Sequence, residues 1–198
     1  MSLISGLSFY ITWNILENNT IIPSGLQAKL EQMIGIDSKK ADKTFTSEDG
    51  SVQVIASEDW KTTDIHEQAI LQIANRAKNK YIIVIDESKV DFADKTTIFD
   101  FAKLVLDGMK ETTENVSVSE PTKVIINNYP GLQYYFQGEV DKIKVSYNIS
   151  LIDTPETFYQ VIAWSLQSNF DEYKEEFKTI ISTFKSFGNK SSDYLVNQ

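Results

Sequence analysis

The segment between Leu132 and Leu151 constrains the fold more than any other part of the chain. Leu132, Tyr134, Phe136, Gly138 and Val140 alternate with Gln133, Tyr135, Gln137 and Glu139. Beyond Asp141-Lys142, the residues Ile143, Val145, Tyr147, Ile149 and Leu151 alternate with Lys144, Ser146, Asn148 and Ser150. Alternation at every second residue sends one set to each face of a strand, so this stretch predicts two half-buried antiparallel strands. A chain with that much length in one hairpin has to build a sheet around it.

Further strands follow from shorter signals. Residues 43–47 and 51–56 flank the turn Glu48-Asp49-Gly50 and read as a hairpin. Residues 69–75 and 81–85 flank Arg76-Ala77-Lys78-Asn79-Lys80 with the same spacing. Tyr81, Ile82, Ile83, Val84 and Ile85 have no polar face, which predicts a central strand covered on both sides. Residues 158–166 (FYQVIAWSL) read as another interior strand.

Two helices stand out. Ile98, Phe101, Ala102, Val105, Leu106 and Met109 form one stripe, with Asp94 or Thr96 as the expected cap and Asp100 in the first turns. Phe170, Tyr173, Phe177, Ile180, Ile181 and Phe184 form the second, opening near Asn169 or Asp171 and closing at Gly188. Hairpins joined without regular strand–helix alternation predict an α+β fold, a largely antiparallel twisted sheet with helices packed on its faces.

The chain of 198 residues suits one domain with a small appendage. Residues 1–36 form that appendage, a strand plus a short helix or an altered leader, and 37–43 a polar linker. Residues 44–187 form the main domain and 188–198 a polar tail. The apolar run Leu3 to Leu16 is 14 residues long and no Lys or Arg precedes Lys29. A spanning helix needs about 20 residues and a signal peptide wants a basic start, so the alternation of Phe9, Ile11, Trp13 and Ile15 favours a strand.

Several function classes drop out on composition. The formal net charge of −9 repels phosphate backbones, and no Lys/Arg cluster offsets it, so nucleic-acid binding is not expected. The absence of cysteine removes thiol catalysis, thiolate metal sites, disulfides and a lipid-modified N-terminal Cys. No phosphate-cradling Gly-rich loop, Gly-x-Ser-x-Gly elbow or His-Glu-x-x-His pair occurs, so neither an enzyme nor a cofactor is expected.

Certain words of the sequence, in their order, resemble a known group. They are FTSEDGSVQV (45–54), DWK (59–61), AILQIAN (69–75), KYIIV (80–84), NYPG (128–131), FYQVIAW (158–164) and STFK (182–185). Together they resemble the PsbP-like superfamily over about residues 43–187. That group holds the extrinsic PsbP protein of oxygen-evolving photosystems, the Ran-binding Mog protein and the DcrB-like bacterial proteins. The nearest likeness is to small bacterial extracytoplasmic lipoproteins of unassigned function.

The resemblance implies an α/β/α sandwich used for docking on other proteins, with members that bind a photosystem core, a small GTPase or toxin cargo bearing membrane segments. It also implies an extracytoplasmic or envelope location, with membrane proximity supplied by a basic, apolar, Cys-terminated leader. Residues 1–36 do not show that leader, which leaves a cytoplasmic location open. No site motif is shared, so no functional residue is carried across.

Candidate chemistry is sparse. His66 stands in Asp64-Ile65-His66-Glu67, a weak metal or acid–base site or simply a surface residue. Asp86, Glu87, Asp91 and Asp94 follow the central strand and read as an acidic loop, solvated or holding Ca²⁺ through hard oxygen ligands. Asp171-Glu172 and Glu175-Glu176, interleaved with Lys174 and Lys178, read as ordinary helix pairing. Tyr135 and Tyr159 fall in the phase opposite the apolar one, and Tyr129 sits at the Pro-Gly turn; exposed together they would make a partner surface, unless the second layer covers them.

The leading expectation is a non-catalytic protein-binding domain, its partner unidentified, docking on a membrane-associated protein or complex. The alternative is a small-ligand or Ca²⁺-binding protein, and a hydrolase with dispersed carboxylates ranks last.

Overall fold

In the computed structural model, residues 41–188 are described. The expected appendage of residues 1–36, residues 37–40 of the expected linker and the tail beyond Gly188 lie outside them.

The long hairpin forms as its alternation predicts. Strands β8 (Tyr129–Val140) and β9 (Ile143–Asp153) pair from Gly131↔Ile152 to Val140↔Ile143. Asp141 and Lys142, at φ 49° and 68°, make the tight turn, whose paired left-handed residues match the twist of the flanking strands. Asn127 and Asn128, at φ 49° and 69°, close a second hairpin between β7 (Thr122–Ile126) and β8.

The other elements assemble around this ribbon. In chain order they are β1 (Asp42–Thr46), β2 (Val52–Ser57), β3 (Lys61–Thr62), β4 (Leu71–Asn75), β5 (Lys80–Ser88), α1 (Ile98–Glu111), β6 (Glu114–Val118), then β7, β8, β9, β10 (Thr157–Leu166), α2 (Phe170–Ser182) and β11 (Lys185–Ser186). The main sheet has the order β3-β4-β5-β10-β9-β8-β6, with β7 pairing the first half of β8. A smaller sheet has the order β1-β2-β11. Each pairing among the described strands is antiparallel. β1 opens inside the stretch expected as linker.

Two cores lie on opposite faces of the main sheet. Tyr81, Ile83 and Ile85 of β5 and Phe158, Ile162 and Trp164 of β10 meet Phe101, Val105 and Met109 of α1. Phe101 stacks on Phe158 at 4.7 Å and Tyr81 on Trp164 at 5.2 Å. The alternate residues Ile82, Val84, Tyr159, Val161 and Ala163 join Phe45, Val54 and Trp60 and the α2 residues Phe170, Phe177 and Ile180 in the second core. Interior apolar side chains of this size each stabilise by about 1.5–3 kcal/mol. The molecule is an α+β sandwich with a helix on each face of an antiparallel sheet.

Three expectations are corrected. β9 is buried on both faces: Ser146, Asn148 and Ser150 are 0 % exposed, because α2 covers the polar phase that alternation assigns to solvent. The cap of α1 is Thr97 in a reciprocal box with Asp100, displacing Asp94 and Thr96. α2 ends at Ser182, well before Gly188. Thr183 Oγ1 donates to Ile180 O at 2.6 Å and accepts from Ile55 N–H at 2.7 Å, which ties the helix end to β2.

Candidate functional site

The acidic residues after the central strand do not converge. Asp86 and Glu87 belong to β5 itself, paired with Tyr159 and Phe158 of β10, so strand alternation turns them to opposite faces. Asp91 closes a short 3₁₀ turn, Lys89–Asp91, and Asp94 follows outside it. Burial pushes both Asp86 and Glu87 above the usual carboxylate range, with lesser contributions from neighbouring acidic charges. Among the described residues, no group of three His, Cys, Asp or Glu is placed to hold a metal ion.

The three tyrosines do not form one surface either. Tyr159 is buried in the second core, with its ring 5.1 Å from that of Phe184 and its hydroxyl 2.8 Å from Ser186 Oγ. Tyr135 is half-buried, edge-on to Phe170 at 6.1 Å, with Lys174 Nζ 4.1 Å from its ring centre. Tyr129 is half-buried against the same core. The second layer covers Tyr159, while Tyr129 and Tyr135 stay partly exposed.

The structure instead brings together residues from four separate segments. A cleft of about 360 Å³ is lined by residues 45–48, 62–64 and 69–73 with His66 and Glu67. That volume lies in the range of roughly 300–1,000 Å³ typical of binding pockets. Its floor is β4, whose Leu71 and Ile73 belong to the second core. Its wall over residues 65–69 is held by one side chain. Gln72 Oε1 accepts from the N–H groups of Ile65 (2.8 Å) and His66 (2.9 Å), and Gln72 Nε2 donates to His66 O at 2.8 Å.

Among the described residues, two strand edges without a neighbour flank this cleft, since β1 and β3 are each terminal in their sheets. Ser47 N–H donates to Val52 O at 3.0 Å and Glu58 N–H to Ala41 O at 2.9 Å. Bonding and outward-facing residues alternate along an antiparallel ladder, so Thr44 and Thr46 turn their N–H and C=O away from β2. Thr63 N–H donates to Gln72 O at 3.1 Å, which by the same count turns the N–H and C=O of Thr62 away from β4. Thr46 and Thr62 both line the cleft.

The cleft carries charge of one sign. Apart from His66, its ionisable lining residues are the carboxylates Glu48, Asp64 and Glu67. Burial holds His66 below its usual value, which favours the neutral ring, and its Nδ1 accepts from Gln68 N–H at 3.3 Å. The sequence pointed to Asp64, His66 and Glu67 as neighbours, but Glu48 arrives from the β1–β2 turn and no local spacing foretells it.

A second polar cluster also escaped the sequence. Lys80, expected in a hairpin turn, is 2 % exposed, and Glu176, expected to pair within its helix, reaches it from the helix packed on that face. Glu175 does pair locally, with Lys178 at 2.7 Å.

No family model and no curated protein sequence matches the chain. Solved structures do. The cyanobacterial PsbP protein (CyanoP) of Synechocystis sp. PCC 6803 aligns with a TM-score of 0.52 at 12 % identity, over 77 % of this chain and 96 % of that one. LpqN of Mycobacterium tuberculosis, involved in cell envelope biogenesis, aligns at 0.53 and 12 % identity, over 75 % and 92 %. Protein Mog1 aligns at 0.52 and 9 % identity, over 74 % and 96 %. Identities this low speak to the fold alone: the described residues share the PsbP- and Mog1-like α+β fold of these structures.

Proposed function

We propose that this domain is a non-catalytic protein-binding module that docks on a membrane-associated protein or complex of the cell envelope. The observation that carries this reading is the cleft between two open strand edges. Outward-facing N–H and C=O groups on both sides, beside a wall fixed by Gln72, suit a polypeptide, which can satisfy such edges along its length. The envelope part draws on LpqN, a structural neighbour involved in cell envelope biogenesis.

The test is capture in place. The tagged full chain, crosslinked in its own cells and recovered from solubilised membranes, is expected to bring down one protein in stoichiometric amount. Repeated recovery of the chain alone would discard the reading.

Small-ligand binding has one observation in its favour, a recess of about 250 Å³ between Asp42, residues 55–57 and the α2 residues Glu176, Thr179 and Ile180. A thermal melt against a metabolite panel and Ca²⁺ separates it, since a ligand at one hundred times its Kd adds about 2.7 kcal/mol.

A further inference from the structure

We infer that the cleft between β1 and β3 accepts an extended, cationic segment of the partner protein, paired edge-on with Thr46 or Thr62 and selected by Glu48, Asp64 and Glu67. This rests on the protein-docking reading and names the site and the chemistry of the occupant.

Charge complementarity is the first ground. Glu48, Asp64 and Glu67 line the cleft, and no Lys or Arg is among its lining residues. Lys61 and Arg76 stand beside lining residues, bonded to the neutral acceptors Glu58 O at 2.8 Å and Thr63 Oγ1 at 2.7 Å, and keep their charge outside the three lining carboxylates. With a formal net charge of −9, the whole chain adds a field that draws cations in and repels anionic ligands.

Backbone geometry is the second. Side chains of an added strand project alternately, so a segment paired with either edge aims every second residue at one wall. Lys or Arg at alternate positions would meet the carboxylates while the backbone satisfies the edge. The wall pinned by Gln72 needs little ordering on binding, which favours affinity from a short segment.

The experiment is selection of a displayed random decapeptide library on the full chain, followed by NMR titration of the enriched peptides. Enriched sequences are expected to carry Lys or Arg at alternate positions and to shift the amide signals of Thr46 and Thr62. The variant Glu48→Gln/Asp64→Asn/Glu67→Gln, its fold checked from the same spectra, is expected to bind roughly tenfold more weakly. The inference is overturned by no enrichment, by enriched peptides without cationic alternation, by shifts that map away from the cleft, or by undiminished binding to the triple variant. Self-association that the triple variant abolishes would assign the cleft to a second copy, again overturning it. A stoichiometric partner captured from membranes while the cleft stays silent would remove this site and leave the docking function standing; no partner and no peptide would remove both.

Discussion

Lys80 Nζ lies 2.5 Å from Glu176 Oε2, although 96 positions separate them in the chain. The lysine side chain is 3 % exposed and the glutamate 34 %. The ammonium sits between the rings of Trp60 (5.2 Å) and Tyr173 (4.9 Å), and Trp60 Nε1–H donates to Glu176 Oε1 at 2.9 Å. Burial holds Lys80 below the usual lysine range despite this pairing. One cation thus joins β5, α2 and the segment after β2.

Removing the anion strands that cation. Glu176→Ala is expected to destabilise by about 2–3 kcal/mol in urea unfolding, below the largest losses for buried pairs because the glutamate is partly solvated. Glu176→Gln keeps an acceptor for Trp60 and loses less. The double variant Lys80→Met/Glu176→Ala is expected to be more stable than Glu176→Ala alone; equal or lower stability would show that the ion pair does not govern this joint.

Asn148 presents the opposite case. It is fully buried in β9, in register with Tyr135 and Ala163, and neither amide atom has a hydrogen-bond partner. Replacing an unsatisfied polar group by an apolar one of similar size removes its desolvation penalty. Asn148→Leu is expected to raise stability by about 1 kcal/mol, read as a higher urea midpoint at unchanged slope.

Gly138 is required by its neighbours. A Cβ there would stand 2.2 Å from Thr113 Cγ2 and 3.0 Å from Glu114 O, where β6 crosses β8. Gly138→Ala is expected to destabilise by about 1–3 kcal/mol. Thr113→Ser, which deletes the clashing methyl, should recover part of that loss, whereas strictly additive effects would exclude the contact as the cause.

Asp86 makes stability depend on pH. Burial, and then the charge of Asp49, raises its folded-state pKa above the ordinary carboxylate value. Between the ordinary and raised values the folded state binds the proton more readily than the unfolded state, so this group lowers stability as pH rises through that window. Asp86→Asn is expected to be more stable at pH ~7 by under about 1 kcal/mol, given its solvent exposure. The advantage should shrink on acidification as Asp86 takes up its proton; a constant advantage would assign it to another cause.

Regular periodicity was the legible part of this chain. The alternation of β8 and β9, the unbroken apolar runs of β5 and β10, and the helical stripes on α1 and α2 all carry their pattern in local spacing. Lys61–Thr62 and Lys185–Ser186, two residues each, are too short to have a period. β6 and β7 are largely exposed edge strands with little apolar pattern. The burial of Ser146, Asn148 and Ser150 depends on where α2 docks, and the pairing of Lys80 with Glu176 on which strand faces which helix. The cleft was hardest to read, because Glu48, Thr62 and Gln72 meet only after two sheets have formed.

The arrangement of β1 and β11 on either side of β2 determines how the domain bears load. The described residues begin beside Glu58, where Glu58 N–H bonds Ala41 O, and end beside Ser51, where Phe187 N–H bonds Ser51 O. These two points therefore sit at opposite ends of the same strand. Tension applied between Ala41 and Gly188 runs along β2 and acts on both ladders in shear, so their hydrogen bonds resist together and the main sheet is not peeled open strand by strand.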